Sequence, residues 1–267
     1  MRPGVVGYGE PLEALLTAAS RAGMSHLEID LNDERNGLES LTPQRCTDVA
    51  RVAESLALTL SLHAPYTLNL CDKVPALRRA SVAFLRDCLG VADAFHATHI
   101  TVHPGYYNGP QAHGPVRDEA RARLVESVRQ AAEPRRDGGT VLALETASPS
   151  RPGSMFSLLG VDTGDFNSLF GAVASPSVGM CLDIGHTNLC KGGPIEYMRR
   201  FSGRIVCVHY HDNQGNIDEH LKPGQGTVPW KLVMRGLLEI GYVGPCVSEV
   251  SRVPADEAWA ALTSFSA

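Results

Sequence analysis

Short apolar runs alternate along the chain with longer segments in which apolar residues recur every three or four positions. The short runs are rich in Val, Ile and Leu, a pattern typical of parallel strands that are covered on both faces. The predicted strands cover residues 4–8, 26–30, 58–62, 98–102, 141–144, 178–182, 204–208 and 246–250. The longer segments have the period of amphipathic helices. They cover residues 11–22, 43–56, 74–95, 117–132, 163–173, 195–201, 229–240 and 255–265.

This alternation predicts an α/β fold, a (β/α)8 TIM barrel that forms a single domain over residues 1–267. Eight strands with intervening helices in about 250 residues are what closure of such a barrel requires. An open, doubly wound parallel sheet is the alternative. Its dinucleotide-binding members carry a third glycine that opens the first helix, whereas Glu10 and Pro11 follow the glycines of the first strand here.

Composition and charge narrow the classes of partner. Of the 267 residues, 43% are hydrophobic and 20% are charged, and the formal net charge is −5. These values exclude a disordered chain and give no global attraction to nucleic acid or anionic membranes. No apolar run approaches the ~20 residues that span a bilayer, and no hydrophobic signal segment is present. The 7 cysteines show no C-x-x-C spacing, which predicts reduced thiols and a cytoplasmic protein without membrane contact.

Histidine and carboxylate side chains stand where successive predicted strands end. They are His63, His103, Glu145, Asp183, His209 with His211, and Glu249. In a barrel these strand ends share the carboxyl-terminal rim, where TIM-barrel enzymes form their active sites. Converging carboxylates repel one another in a partly buried pocket, and these segments offer few lysines or arginines as counter-charges. The pattern therefore predicts a bound divalent cation, and mixed His, Asp and Glu ligands suit Zn²⁺, Mn²⁺ or Fe²⁺ better than Ca²⁺.

A second polar cluster lies in the loop that follows the seventh strand, over residues 212–220. Asp218 and His220 are two positions apart, so an extended loop would direct both side chains to the same side. A polar surface turn is the alternative, but the Pro- and Gly-containing continuation over residues 221–230 favours a loop held against the rim. Before this loop, His209 and His211 share one face of the strand, so periodicity alone leaves both as candidate ligands.

Together, the segments between residues 58 and 249 resemble the xylose isomerase-like TIM-barrel superfamily. This superfamily contains sugar isomerases and epimerases as well as the endonuclease IV family of DNA-repair enzymes. In epimerases similar to D-tagatose 3-epimerase, strands five to eight supply four ligands to one divalent metal. The resemblance implies that these ligands are Glu145, Asp183, His209 and Glu249. The His-x-x-Asp/Glu order of the family selects His209 rather than His211, and His186 matches a histidine that contacts substrate.

Resemblance to the endonuclease IV family implies a larger set of ligands. That family holds three zinc ions, and residues of all its ligand types occur here in order. The implied sets are His63, His103 and Glu145; Glu145, Asp183, His209 and Glu249; and His186, Asp218 and His220. Tyr66 falls where that family places an aromatic side chain against the abasic gap. Gln225 replaces a glutamate of the nucleases, and Gly215 replaces an arginine of the known epimerases.

The resemblance implies a metal-dependent isomerase or epimerase of a sugar or sugar phosphate. Glu145 and Glu249 would exchange a proton with the substrate as base and acid, and His186 would orient a hydroxyl group. The alternatives are a three-zinc apurinic/apyrimidinic endonuclease, a metal-dependent lyase of a keto-polyol or related acid, and a catalytically silent relative. We expect one to three ions of Zn²⁺, Mn²⁺ or Mg²⁺ and a small-molecule sugar as partner. Nucleic acid is a partner only for the nuclease, and a homo-oligomer is compatible with each alternative.

Overall fold

The computed structural model describes residues 1–109, 114–133 and 139–266, and its main feature is a closed barrel of eight parallel strands. Within these residues there are ten strands, and two of them, β5 and β7, form a separate two-stranded sheet outside the barrel. The ten are β1 (Arg2–Gly7), β2 (His26–Asp30), β3 (Thr59–His63), β4 (His99–Val102), β5 (Tyr106–Asn108), β6 (Val141–Glu145), β7 (Phe156–Leu158), β8 (Val178–Asp183), β9 (Ile205–Tyr210) and β10 (Pro245–Ser248). The order around the barrel is β1, β2, β3, β4, β6, β8, β9 and β10, and β10 pairs with β1. The predicted TIM barrel is confirmed.

Helices follow the barrel strands and cover their outer faces. They are α1 (Leu12–Arg21), α2 (Pro43–Ser55), α3 (Pro75–Ala94), α4 (Gly114–Ala132), α5 (Thr163–Ala172), α6 (Ile184–Asn188), α7 (Gly193–Phe201), α8 (Trp230–Glu239) and α9 (Ala255–Thr263). Local sequence explains where several of them begin. Thr42 caps α2 by accepting a hydrogen bond from the Arg45 backbone N–H, and Pro43 occupies the first turn. Asp162 caps α5 in the same way through the Asp165 N–H.

The structure differs from the sequence-based prediction in two short elements. No strand is predicted within residues 146–160, but they include β7, which pairs antiparallel with β5 beyond the rim of the barrel. A short helix, α6, begins directly after β8 and carries His186. Both elements have 5 residues or fewer, which is too short for a hydrophobic period to show in the sequence.

The apolar core lies between the barrel and its helices, whereas part of the barrel interior is polar. Glu28, Ser61, His99 and Thr101 are all buried, and Glu28 pairs in register with Ser61 on the adjacent strand. TIM-barrel interiors are usually filled by branched apolar side chains. All 7 cysteines are buried and none is disulfide-bonded. Within the described ranges, no helix combines the length and apolar character needed to cross a membrane.

Candidate metal centre

Four of the predicted ligands converge at the carboxyl-terminal rim of the barrel. They are the last residue of β6, the last residue of β8, a residue near the end of β9 and the residue after β10, namely Glu145, Asp183, His209 and Glu249. Their candidate ligand atoms all lie within 4.8 Å of one another. Because parallel strands end at one rim, the barrel brings together side chains from distant parts of the chain.

His209 lies between the two glutamates of this group. Its Nδ1 atom is 3.2 Å from Oε1 of Glu145 and 3.0 Å from Oε1 of Glu249. Asp183, Glu145 and His209 are buried, whereas the Glu249 side chain is 14% exposed. One imidazole nitrogen and three carboxylates make up a donor set that suits a divalent cation.

Glu145 also belongs to a second group of donor atoms. Its Oε2 atom is 3.2 Å from Nε2 of His63 and 2.8 Å from Nε2 of His103. The two oxygens of this one carboxylate therefore face different imidazoles, as a carboxylate that bridges two ions would. The ring of Tyr66 packs 5.2 Å from the His63 ring and 5.3 Å from the His103 ring, and it is more than half exposed. It forms an aromatic surface at the mouth of the site.

The third group contains His186, Asp218 and His220, as predicted, together with His211. Both His186 and His220 place Nε2 close to Oδ2 of Asp218, at 3.1 and 3.2 Å. The His211 ring stacks on the His220 ring at 4.0 Å, and its Nδ1 lies 3.5 Å from Oδ1 of Asp218. Gly185 makes room for this ring, because a Cβ atom at position 185 would overlap it. His211 was not predicted to belong to this group, although its alternation with His209 along the strand was the available signal.

Three histidines share one orientation that suits metal ligation. The Nδ1 atoms of His63, His186 and His220 hydrogen-bond to backbone carbonyls of Ala64, Thr146 and Glu249 at 2.8–2.9 Å. A carbonyl only accepts, so each Nδ1 must donate. The Nε2 atom of each ring then faces a carboxylate. A neutral imidazole would direct a lone pair at that anion, so the arrangement requires either a second proton or a cation between the groups.

Unpaired buried atoms also fit a cation. Nδ1 of His211 and Oδ1 of Asp218 are buried 3.5 Å apart, and neither has a hydrogen-bond partner among the described residues. In the described part of the chain, the ion pairs of Glu145, Asp183 and Asp218 involve histidines alone, with no lysine or arginine among their partners. Buried polar atoms in native proteins are normally satisfied. A divalent ion would supply both the missing partners and the counter-charge.

The carboxylates shift the pKa values of the surrounding imidazoles. Burial lowers the pKa of His63, but the hydrogen bond to Glu145 raises it, to about 9 in total. Burial likewise lowers the pKa of His220, while Asp218 raises it to about 9. Burial raises the pKa of Glu145, yet His103 and its neighbours hold that pKa well below its usual value. In the metal-free protein, protons on imidazoles thus take the place of a cation.

Asp212 fixes the loop that carries Asp218 and His220. Its Oδ1 accepts hydrogen bonds from the backbone N–H groups of Asn213 and Val228, at 2.9 and 3.1 Å. Its Oδ2 accepts from the Gly224 N–H and from Trp230 Nε1, at 2.9 and 2.8 Å. Asp212 is fully buried and contributes to none of the three donor groups described above. The loop is therefore held against the rim, as its composition predicted.

A family model described as "Xylose isomerase-like TIM barrel" matches residues 16–266. The chain belongs to this family. This match confirms the resemblance that the sequence indicated. The closed eight-stranded barrel described above agrees with the family's description.

Three curated relatives and one solved structure are similar to this xylose isomerase-like barrel. "Uncharacterized protein MJ1311" of Methanocaldococcus jannaschii is 28% identical over 212 residues, 78% of this chain and 70% of the relative. "Fructoselysine 3-epimerase" of Escherichia coli O157:H7 is 24% identical over 70% of this chain and 64% of the relative. "Probable endonuclease 4" of Shouchella clausii is 25% identical over 75% of this chain and 69% of the relative. The crystal structure of a "D-tagatose 3-epimerase-like protein" has a TM-score of 0.86 and 26% identity, and the match covers 99% of this chain and 97% of that structure.

Replacing Asp212 by Asn should destabilise this barrel and loosen the loop over residues 212–230. The amide would turn an NH₂ group toward backbone donors, and each unsatisfied buried group costs about 1–3 kcal/mol. We expect a loss of about 3 kcal/mol in the free energy of unfolding measured in urea. The exposed Asp256→Asn variant is the matched control and should change it by less than about 0.5 kcal/mol. Equal stability of the two variants would show that Asp212 does not hold the loop.

The metal-free protein should lose stability as the pH rises from 6.5 to 9. The pKa values of His63 and His220 are raised from 6.5 to about 9 in the folded state. Their contribution is therefore complete below pH 6.5 and is lost as the pH rises through 9. We expect the melting temperature of chelator-treated protein to fall by at least about 4 °C over this window, since 1 kcal/mol corresponds to about 2–4 °C at this size.

Adding Mn²⁺ should raise the melting temperature more at pH 9 than at pH 6.5, because ligation needs deprotonated imidazoles. The His63→Gln variant is the control for the proton effect and should show a flatter pH profile without metal. A melting temperature that stays level or rises between pH 6.5 and 9 in the wild-type metal-free protein would contradict this assignment.

Proposed function

We propose that this protein is a divalent-metal-dependent epimerase of a sugar that carries a ketone, and that it moves a proton at the carbon next to the carbonyl. The supporting observation is the convergence of Glu145, Asp183, His209 and Glu249, whose ligand atoms lie within 4.8 Å of one another. Similarity to a D-tagatose 3-epimerase-like structure and to fructoselysine 3-epimerase supports a ketose-type substrate. The bound cation would stabilise negative charge on the substrate oxygens as a Lewis acid.

Glu145 and Glu249 are the proposed proton-transfer residues. They flank His209, since the Oε1 atom of each glutamate lies within 3.2 Å of its Nδ1. Epimerisation removes a proton from one face of a carbon and returns one to the opposite face. Two carboxylates on different strands suit this requirement, and a general acid–base pair contributes about 10²–10⁴-fold to the rate.

His186 is the proposed residue that orients a substrate hydroxyl group. Its side chain is 9% exposed, and its Nδ1 donates to the Thr146 carbonyl at 2.8 Å. The Nε2 atom lies 3.1 Å from Asp218, at the edge of the candidate site. An imidazole locked at one nitrogen presents the other in a fixed direction, which is the property needed for substrate positioning.

An endonuclease IV-like activity on abasic DNA is the second candidate. It is favoured by the three donor groups, which correspond to three metal ions, and by similarity to a probable endonuclease 4. The loop after β2 favours the sugar reaction instead, because its one arginine, Arg35, is paired with Asp33 at 2.9 Å. An arginine paired in this way offers little attraction to a phosphate backbone.

Exchange of a substrate carbon-bound proton for deuterium tests the proposal. Metal-free protein would be loaded with Mn²⁺ in D₂O and incubated with D-tagatose, D-fructose, D-psicose and their phosphates, and NMR would follow the proton next to the carbonyl. We expect exchange and an epimeric product with at least one of these ketoses. Glu145→Gln should lower the rate by at least about 10²-fold.

Ser127→Ala is the matched control, because the hydroxyl group of this buried serine donates to the Leu70 carbonyl and Ser127 belongs to none of the three donor groups. It should retain the wild-type rate. Absence of exchange with every ketose, together with nicking of an abasic-site duplex by the zinc-loaded protein, would replace the proposed function with the nuclease. Loss of water from the ketose without epimerisation would identify the lyase.

A further inference from the structure

His209 differs from His63, His186 and His220 in what holds its second nitrogen. Backbone carbonyls hold His63, His186 and His220 at Nδ1, so that Nε2 faces the centre. In His209 the ring is reversed, and Nδ1 faces Glu145 and Glu249. The atom on its far side is not a carbonyl but Oε1 of Glu28, 2.9 Å from Nε2. Both atoms are buried, and among the described residues neither has a partner in hydrogen-bond geometry, so the contact between them is an ion-pair contact.

Glu28 lies in the barrel interior and is fully buried. Burying an ionised carboxylate is costly unless it is paired and hydrogen-bonded. Its other oxygen, Oε2, accepts hydrogen bonds from the hydroxyl groups of Ser61 and Thr101, at 2.9 and 3.0 Å. These two side chains leave Oε1 for His209 and fix the plane of the carboxylate. Glu28 is therefore an anion held by two hydroxyl groups, with Oε1 facing the back of the His209 ring and Oε2 also 3.4 Å from Nε2 of His99.

Hydrogen bonds continue from Glu28 toward the opposite end of the barrel. Because the Ser61 hydroxyl donates to Glu28, its oxygen is available to accept from His26 Nε2, at 2.9 Å. His26 Nδ1 in turn lies 2.8 Å from Thr59 Oγ1, which accepts from Arg2 at 3.1 Å. A polar column thus links the rim to the amino-terminal end of β1. An interior of branched apolar residues would supply none of these contacts.

We propose that Glu28 is a positioning residue for the metal centre, which holds His209 with Nδ1 toward the ion and strengthens it as a ligand. This inference rests on the proposed metal-dependent function and extends it to a residue that touches neither the ion nor the substrate. A carboxylate at the outer nitrogen of a histidine ligand fixes the tautomer and raises the basicity of the other nitrogen. A backbone carbonyl, which carries no net charge, also fixes the tautomer but raises the basicity of the other nitrogen less.

The direct test measures the affinity of metal-free protein for Co²⁺ by visible absorption, with the metal alone and no sugar. In Glu28→Gln, which keeps the size of the side chain but removes its charge, the dissociation constant should rise about 10–100-fold. The absorption bands should shift, because the donor strength of His209 changes. Thr101→Val and Ser61→Ala, which loosen Glu28 without touching His209, should weaken binding in the same direction by a smaller factor.

Ser127→Ala again serves as the control for loss of a buried hydroxyl and should leave affinity and spectrum unchanged. A wild-type dissociation constant and spectrum in Glu28→Gln would overturn the proposal, whatever the melting temperature of that variant. If Glu28→Gln does not fold, wild-type affinity in both Thr101→Val and Ser61→Ala would overturn it instead. If the wild-type protein shows no epimerase activity but these affinities change as expected, the proposal for Glu28 stands. If the wild-type protein binds no Co²⁺, both the proposal for Glu28 and the proposed metal-dependent function are contradicted.

Discussion

Negative charge that is buried or partly buried at the rim determines how the surrounding elements are arranged. Glu145, Asp183 and Asp218 are drawn together by the barrel, and within the described residues their ion-pair partners are histidines. Such a cluster is stable only if protons or a cation compensate it. Fixed imidazole orientations, the glycine that admits His211 and the anchored loop over residues 212–230 all serve to hold this cluster in place. The proposed proton transfer between a sugar and Glu145 or Glu249 would depend on the same compensation of negative charge.

Much of this arrangement was predictable because barrel topology converts sequence periodicity into spatial position. A residue that ends a parallel strand lies at the rim whatever the details of packing, so His63, His103, Glu145 and Asp183 were placed from strand order alone. The choice between His209 and His211 was different, because both share one face of the chain. Resemblance selected His209 for the central group, and the structure brings His211 into the neighbouring one.

Glu28 shows what the sequence interpretation left out and why. Residues 26–30 read as a buried strand, and the alternation of His26, Glu28 and Asp30 within it was a visible signal of a polar inner face. The role of Glu28 depends on its contacts with Ser61, Thr101 and His209, which lie on three other strands. Register between strands and side-chain direction are tertiary properties, and local pattern does not fix them. The β5–β7 ribbon was missed for a related reason, since it has 3 residues in each strand.

We propose that a divalent ion binds among Glu145, Asp183, His209 and Glu249. Anomalous X-ray diffraction from crystals of the protein grown with Mn²⁺ would locate this ion without reference to activity. We expect a strong anomalous peak within bonding distance of all four side chains. A structure in which these carboxylates stay paired with protonated histidines at saturating Mn²⁺, with no peak between them, would contradict it.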